Sequence, residues 1–300
     1  PKFPSIFAGI PDYLELLLGL SYEDEDGLIW QLLHTVPEAD FDLRQGGQVE
    51  IIGWFYQYFT ADRRDEIISL NVKQIEKADI PTATQVFTPD WIVRYLLDNS
   101  LGRCWLEGNP DSPLRKKLEF YVEPKGISPA GSRDHRPAAI SPRELTVLDP
   151  CVGSGHILLY AFDLLLEIYR ESGYSEAAAA REIVQYNLHG LDIDQRVVNL
   201  ANFAVTMKAR SYDPDFFDSG IEVRIFTLAE SKTVDSCRPP APLTIAAEAA
   251  DTGDYLLELF REAGEIGSLL QADDRDYQGF LRSLDQAAVQ ADPLLPEHAV

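Results

Sequence analysis

The run Thr146-Val-Leu-Asp-Pro-Cys-Val-Gly-Ser-Gly-His156 constrains this chain more than any other stretch. It reads as a buried strand, a sharp glycine turn and the start of a helix. Val147 and Leu148 supply the apolar strand end, and Asp149-Pro150 stops the strand. Gly153 and Gly155 let the backbone bend tightly and approach a ligand where a side chain would collide. A dinucleotide fingerprint needs a third glycine where Leu158 stands, and a Walker loop needs Gly-Lys-Ser/Thr where His156 follows Gly155. A carboxylate opening the loop also sits badly beside a pyrophosphate. It suits a cationic ligand, such as one carrying an ammonium and a sulfonium. A tight strand-to-helix turn with no ligand is the alternative.

The run resembles motif I of the S-adenosylmethionine-dependent DNA methyltransferases that modify the exocyclic amine of adenine. That family carries Asp-Pro-Ala-Cys-Gly-Ser-Gly where this chain has Asp149-Pro150-Cys151-Val152-Gly153-Ser154-Gly155. Two more stretches follow the family order. Gln85-Val-Phe-Thr-Pro-Asp-Trp-Ile-Val93 looks like motif X, and Leu188-His-Gly-Leu-Asp-Ile-Asp194 looks like motif II. The likeness is greatest to the PglX family, the large methyltransferases of BREX phage-defence systems, with type IIG restriction-modification enzymes next. It runs from about Pro81 to Phe217. The resemblance implies an α/β fold with a Rossmann-like methyltransferase core, S-adenosyl-L-methionine as cofactor, and DNA and other phage-defence proteins as partners.

A chain of 300 residues, 45% apolar and 25% charged, can bury a full core as one large domain or two smaller ones. No apolar stretch approaches the roughly 20 residues that span a bilayer, and no signal peptide opens the chain, so no membrane role is expected; the three cysteines, odd in number, point to a reducing, cytoplasmic setting. Cys104, Cys151 and Cys237 are widely spaced and match neither a disulfide framework nor a zinc pattern, so no metal is expected. The start at Pro1, without an initiator methionine, fits a fragment. The net charge of −23 is unusual for a protein that grips phosphates, because counterion release from basic contacts supplies most non-specific DNA affinity. Either this is a solvated acidic surface, or DNA contact belongs to a region outside this segment.

Residues 1–80 read as a helical region: Pro11–Leu18 places leucines on one side of a short helix, and Gln48–Phe59 is an aromatic-rich stretch suited to core packing. Residues 81–230 read as the methyltransferase core, interrupted at 107–143 by a proline-rich loop or insertion. Thr88 caps a helix with Pro89 in its first turn, followed by Trp91, Ile92, Tyr95, Leu96 and Leu97 at helical spacing. After Gly155 a helix is apolar nearly all round from Ile157 to Tyr169, with Asp163, Glu167 and Arg170 on one narrow stripe. A second helix, capped by Ser175, ends near Tyr186. Leu188–Ile193 is the next strand, Asp194 caps a helix to about Arg210, and Ile221–Leu228 is a third strand. Strand alternating with helix implies a parallel sheet. Residues 231–300 read as a linker and a helical segment, with an amphipathic helix at Tyr255–Leu270.

Asp192 ends the second strand at the crevice where doubly wound sheets hold ligands. A carboxylate there can accept two hydrogen bonds from a ribose diol, as motif II implies; the alternative, capping the next helix, suits Asp194 better. The stretch from Gly155 to Asp192 exceeds the roughly 20 residues of nicotinamide enzymes, which an extra helix accounts for. By the resemblance, Thr88 meets the carboxylate end of the methionine moiety and Asp149 its positive end. Pro150, Cys151, Gly153 and Gly155 line the loop, Ile193 packs on the adenine and Glu230 meets the adenine amine. His156 reads as a first-turn helix residue. Adenine-N6 methyltransferases also share a tetrapeptide of Asn/Asp-Pro-Pro-Tyr/Phe that positions the flipped base. This chain has none, since Asn109-Pro110 is followed by Asp111 and reads as a turn, so no catalytic residue is assigned. A cofactor-sensing or scaffolding module that docks other defence proteins is the rival reading. An acidic partner-binding domain is a third.

Overall fold

The structure, a computed structural model, describes residues 88–123, 140–228, 247–261 and 270–291, with single positions elsewhere that include Gly53 and Tyr58. Pro11–Leu18, Gln85–Phe87 and Glu230 lie outside the described residues. The chain divides into two compact units, Pro1–Thr227 and Leu228–Val300.

Three short strands, β1 (Val147–Asp149), β2 (Leu188–Asp192) and β3 (Arg224–Thr227), form a parallel sheet in the order β1-β2-β3. Parallel neighbours need crossovers. Here they are α-helical, with α3 (His156–Glu171) and α4 (Glu176–Glu182) between β1 and β2, and α5 (Gln195–Tyr212) between β2 and β3. Helices between parallel strands make the unit α/β, as the alternation of signals predicts. The motif X stretch opens α1 (Asp90–Leu97), which passes through a π-helical turn, Asp98–Gly102, into α2 (Arg103–Gly108).

Helix α3 is the hub of the core. Leu158, Leu159, Ala161, Phe162, Leu164, Leu165, Leu166, Ile168 and Tyr169 are all buried, as expected of a helix that packs against both sheet and helices. Its charges sit where partners reach them. Asp163 accepts from Lys208 Nζ at 2.8 Å, and Glu167 pairs with Lys117 and Arg170. Ser175 caps α4, its Oγ accepting from Ala178 N, and Asp194 caps α5, its carboxylate accepting from Arg196 N at 2.9 Å. Both caps follow the sequence expectation. Beyond α4 the chain widens into a π-helical turn, Ile183–Asn187, that delivers Asn187 into the core.

Four expectations need correction. The first strand is not buried on both faces. Strand side chains alternate in direction, and only the face bearing Asp149, Gly190 and Ile225, which align in register, is covered. On the other face Leu148 and Phe226 are 60% and 59% exposed. Second, Thr88 is not the helix cap. Pro89, extended at φ −55° and ψ 143°, is, and its carbonyl accepts from Ile92 N and Val93 N. The first helical bonds end on the Pro89 carbonyl, one residue further along, so Thr88 stands outside the turn. Third, α1 buries Val93 and Leu97, while Trp91, Tyr95 and Leu96 face outward. Fourth, the proline-rich stretch is not loop throughout. Residues 109–123 pack on the core through Leu114 and Leu118, and Pro142–Glu144 forms a single 3-10 turn closed by a capping box with Ser141.

Buried polar contacts join these parts. Asp98, fully buried, accepts from Tyr160 Oη at 2.8 Å and from Phe120 N at 2.9 Å, and Arg94 lies over the Tyr160 ring. This ties α1 to α3 and to the 109–123 stretch. Burial, then the Asp98 carboxylate, pushes the Tyr160 phenol well above its ordinary range. Arg143 donates to Glu182 at 2.7 Å and stacks on Tyr186, fixing the end of the insertion to the crossover between β1 and β2.

The second unit pairs α6 (Ala247–Phe260) with α7 (Tyr277–Ala291). Helix α6 therefore starts before the expected Tyr255 and ends at Phe260, before Leu270. Arg275 donates to Asp251 and lies over Tyr255. No helix among the described residues is long and apolar enough to cross a membrane.

Candidate cofactor site

The glycine turn leaves β1 at Asp149 and enters α3 at His156, with Gly153 and Gly155 at φ 52° and 92°. Only glycine adopts such angles cheaply. Gly155 must also be small, because a Cβ there would lie 3.3 Å from Ala201 Cβ on α5. Gly190, beneath the loop, is needed for space as well. A Cβ at 190 would lie 3.0 Å from Val152 and 3.1 Å from both Leu158 and Ile225.

Four amides of this loop are already engaged. Cys151 N donates to Asp149 Oδ1 at 3.1 Å, Val152 N to the Leu191 carbonyl at 2.9 Å, Gly153 N to Asp192 Oδ2 at 2.9 Å and Gly155 N to the Val152 carbonyl at 2.9 Å. A phosphate-cradling loop turns such N–H groups toward its ligand. Here two of the four point instead at carboxylates, those of Asp149 and Asp192.

Asp149 is the most telling side chain. It is 5% exposed, and its Oδ2 is buried with no hydrogen-bond partner. Burial pushes its carboxyl up, the Cys151 N–H pulls it down, and the nearby Asp192 charge raises it again. A buried carboxylate with an unsatisfied oxygen is costly, and a cation or hydrogen-bond donor placed against it relieves the cost. Asp192 is half-buried and works as a brace: Oδ2 accepts from Gly153 N and Oδ1 from Asp194 N at 3.0 Å. Each oxygen keeps a second lone pair for a ligand hydroxyl. Asp194 is turned to the helix, held by Arg196 at 2.7 Å. Ile193, between the two aspartates, is 67% exposed and presents an apolar surface at the strand end.

The structure therefore brings Asp149, Pro150, Cys151, Gly153, Gly155, Asp192 and Ile193 to one end of the sheet. Cys151 is exposed there, and His156 begins α3 as expected. Thr88 is half-buried ahead of α1, and Glu230 lies outside the described residues. Sequence reasoning missed the bracing role of Asp192 and the packing roles of Gly190 and Ala201. A glycine inside an apolar strand is the signal that could have pointed to Gly190. A separate cleft of about 450 Å³ lies between α5 and β3, lined by Asn199, Asn202, Phe216, Ile221 and Glu222 among others, and no residue of the glycine loop borders it. Among the described residues no cluster of histidine, cysteine or acid could hold a metal ion.

No protein-family model matches the chain. An adenine-specific methyltransferase BrxX from Escherichia coli (strain HS) is 37% identical over 96% of this chain and 26% of its own length. An adenine-specific methyltransferase PglX from Lacticaseibacillus casei (strain Zhang) is 38% identical over 89% of this chain and 22% of its own. The chain spans about a quarter of the length of these curated relatives. Two such matches, each running through the loop, the strands and the crossovers described above, make this chain a homologue of the adenine-specific methyltransferases BrxX and PglX over nearly all of its length.

Proposed function

We propose that this chain is the cofactor-binding part of a cytoplasmic DNA adenine-N6 methyltransferase of a BREX or restriction-modification system, with a Rossmann-like core that binds S-adenosyl-L-methionine. The unsatisfied, buried Oδ2 of Asp149 beside a loop with four amides already engaged is the observation that carries this reading. It asks for a ligand with positive charge, which the ammonium and sulfonium of the cofactor supply. Asp192 takes the ribose hydroxyls, Ile193 covers one adenine face, and Thr88, Cys151 and Glu230 complete the cradle. When bound, the cofactor provides an activated methyl group. The chain's own residues hold it in place and, through Asp149, balance its charge. Isothermal titration of the chain with S-adenosylmethionine tests this directly, and an absence of binding overturns it.

The sequence has no Asn/Asp-Pro-Pro-aromatic tetrapeptide to grip a flipped base. This chain by itself is therefore expected not to methylate DNA even with cofactor present. Labelled methyl appearing in adenine-containing DNA above a protein-free control would contradict that. The same absence favours a second reading, a non-catalytic cofactor-binding module that docks other defence proteins. It predicts cofactor binding with no methyl transfer from any longer form of the protein.

DNA contact is assigned mainly to regions outside these residues. Of the basic residues that could form a groove, Arg103 pairs with Glu107, Arg115 with Glu123 and Lys117 with Glu167. Paired cations release few counterions, and the net charge is −23. Duplex DNA binding by this chain is expected to be weak and nearly flat with salt. Fluorescence anisotropy at low and moderate salt checks it. A loss of roughly 10³-fold, as for six phosphate contacts, would show a basic groove assembled by the fold.

A further inference from the structure

Gly53, in the N-terminal part of the chain, is helical and buried, and it touches the cofactor loop more closely than a side chain allows. A Cβ at position 53 would lie 2.6 Å from Ser154 Oγ, 2.8 Å from Ser154 Cβ and 3.3 Å from His156 Nε2. Carbon atoms in good contact sit about 3.5–4.0 Å apart, so the first two distances are collisions. Ser154 is itself 3% exposed, with its Oγ buried and without a hydrogen-bond partner, so no hydrogen bond from that side chain explains the approach. The contact is one of shape.

Ser154 also has little room to move away. The next residue, Gly155, lies against α5, where even an added Cβ would meet Ala201 Cβ at 3.3 Å and Cα at 3.4 Å. The preceding residue, Gly153, is held through its N–H by Asp192, and Val152 through its N–H by the Leu191 carbonyl. Anything that displaces Ser154 must therefore shift Gly153 and the Asp192 carboxylate bonded to it. Those are the groups placed above against the cofactor.

We propose that Gly53 is a positioning residue for the cofactor loop: its lack of a side chain lets the backbone at position 53 seat on Ser154, and that seating sets the loop geometry on which S-adenosylmethionine affinity depends. This rests on the reading that the loop binds S-adenosylmethionine. A glycine required only by the helix would behave in the opposite way, because alanine is the better helix former. Gly53→Ala would then leave binding alone and raise stability slightly.

The test uses the 300-residue chain and three variants, Gly53→Ala, Ser154→Gly and the double substitution. Gly53→Ala is expected to weaken S-adenosylmethionine binding by about tenfold or more, as overpacking a site with no slack does. In the double variant the serine atoms that would collide are gone. Its affinity is expected to return to within about twofold of Ser154→Gly alone, since coupling between touching residues is what such a cycle isolates. A second readout needs no cofactor. Cys151 is exposed in the same loop, and Cys104 is exposed on α2 as an internal reference. Peptide-resolved alkylation of Cys151 relative to Cys104 is expected to change by about threefold or more in Gly53→Ala and to revert in the double variant, because it reports local opening of the loop. Wild-type affinity and alkylation in Gly53→Ala would overturn the proposal, and so would a loss that Ser154→Gly fails to rescue. If the wild-type chain binds no S-adenosylmethionine, the cofactor assignment falls, and the alkylation ratios alone then decide whether Gly53 sets the loop.

Discussion

Replacing Asp192 by alanine is expected to weaken S-adenosylmethionine binding by roughly 10- to 100-fold, because hydrogen bonds to a charged group are worth about 1.5–3 kcal/mol and each 1.4 kcal/mol is tenfold. Two losses combine in that figure. The ribose hydroxyls lose their acceptor, and the loop loses the carboxylate that holds Gly153 N at 2.9 Å. Asp194→Ala provides the contrast. Asp194 is turned toward Arg196 N as the α5 cap, so its removal should cost about 1 kcal/mol of stability with little change in affinity. Titration calorimetry on both variants, read beside their urea midpoints, separates the roles. Equal losses of affinity, or a larger loss at Asp194, would reverse the assignment. Asp192→Asn is expected to fall between, since its single carbonyl oxygen can hold one of the two backbone donors but not both.

The largest effect on stability is expected at Asn187, which touches no proposed ligand. It is fully buried at the end of the π-helical turn before β2. Its Nδ2 donates to the carbonyls of Pro142 at 2.8 Å and Leu145 at 2.6 Å, and its Oδ1 accepts from Tyr169 Oη at 3.0 Å. One side chain thus joins the end of the insertion, the hub helix α3 and the entry to the second strand. Asn187→Leu keeps the volume but strands the Leu145 carbonyl and the Tyr169 hydroxyl, each worth about 1–3 kcal/mol when unsatisfied, and leaves the Pro142 carbonyl with only its bond from Leu145 N. Allowing for relaxation, a loss of about 3–5 kcal/mol is expected, a large share of the roughly 5–15 kcal/mol that stabilises a typical domain. Urea denaturation should show a lower midpoint with an unchanged slope. A shift worth under about 1 kcal/mol would mean that Asn187 is not the junction its contacts describe.

Local signals in the sequence carried much of this molecule. The aspartate and two glycines of the loop, the apolar α3, the Ser175 and Asp194 caps and the strand-helix alternation each depend on a few neighbouring residues. Such features are legible because backbone angles, helix capping and side-chain periodicity are settled within one or two turns. One local reading was a residue out of place: α1 is capped at Pro89, whose carbonyl takes the first helical bonds, and Thr88 lies just before it.

What the tertiary structure alone decided are matters of contact between distant segments. That Leu148 faces outward while Asp149 is buried depends on which sheet face α3 and α5 cover, and both strand faces look apolar in sequence. That Leu114 and Leu118 turn a proline-rich stretch into part of the core depends on α3 lying beside it. The bracing of Gly153 by Asp192, the closeness of Gly155 to Ala201 and the collision a side chain at Gly53 would make with Ser154 all join residues far apart along the chain. Composition, period and motif spacing describe each segment separately. The distance between a backbone amide and a carboxylate 39 residues away exists only once the chain has packed.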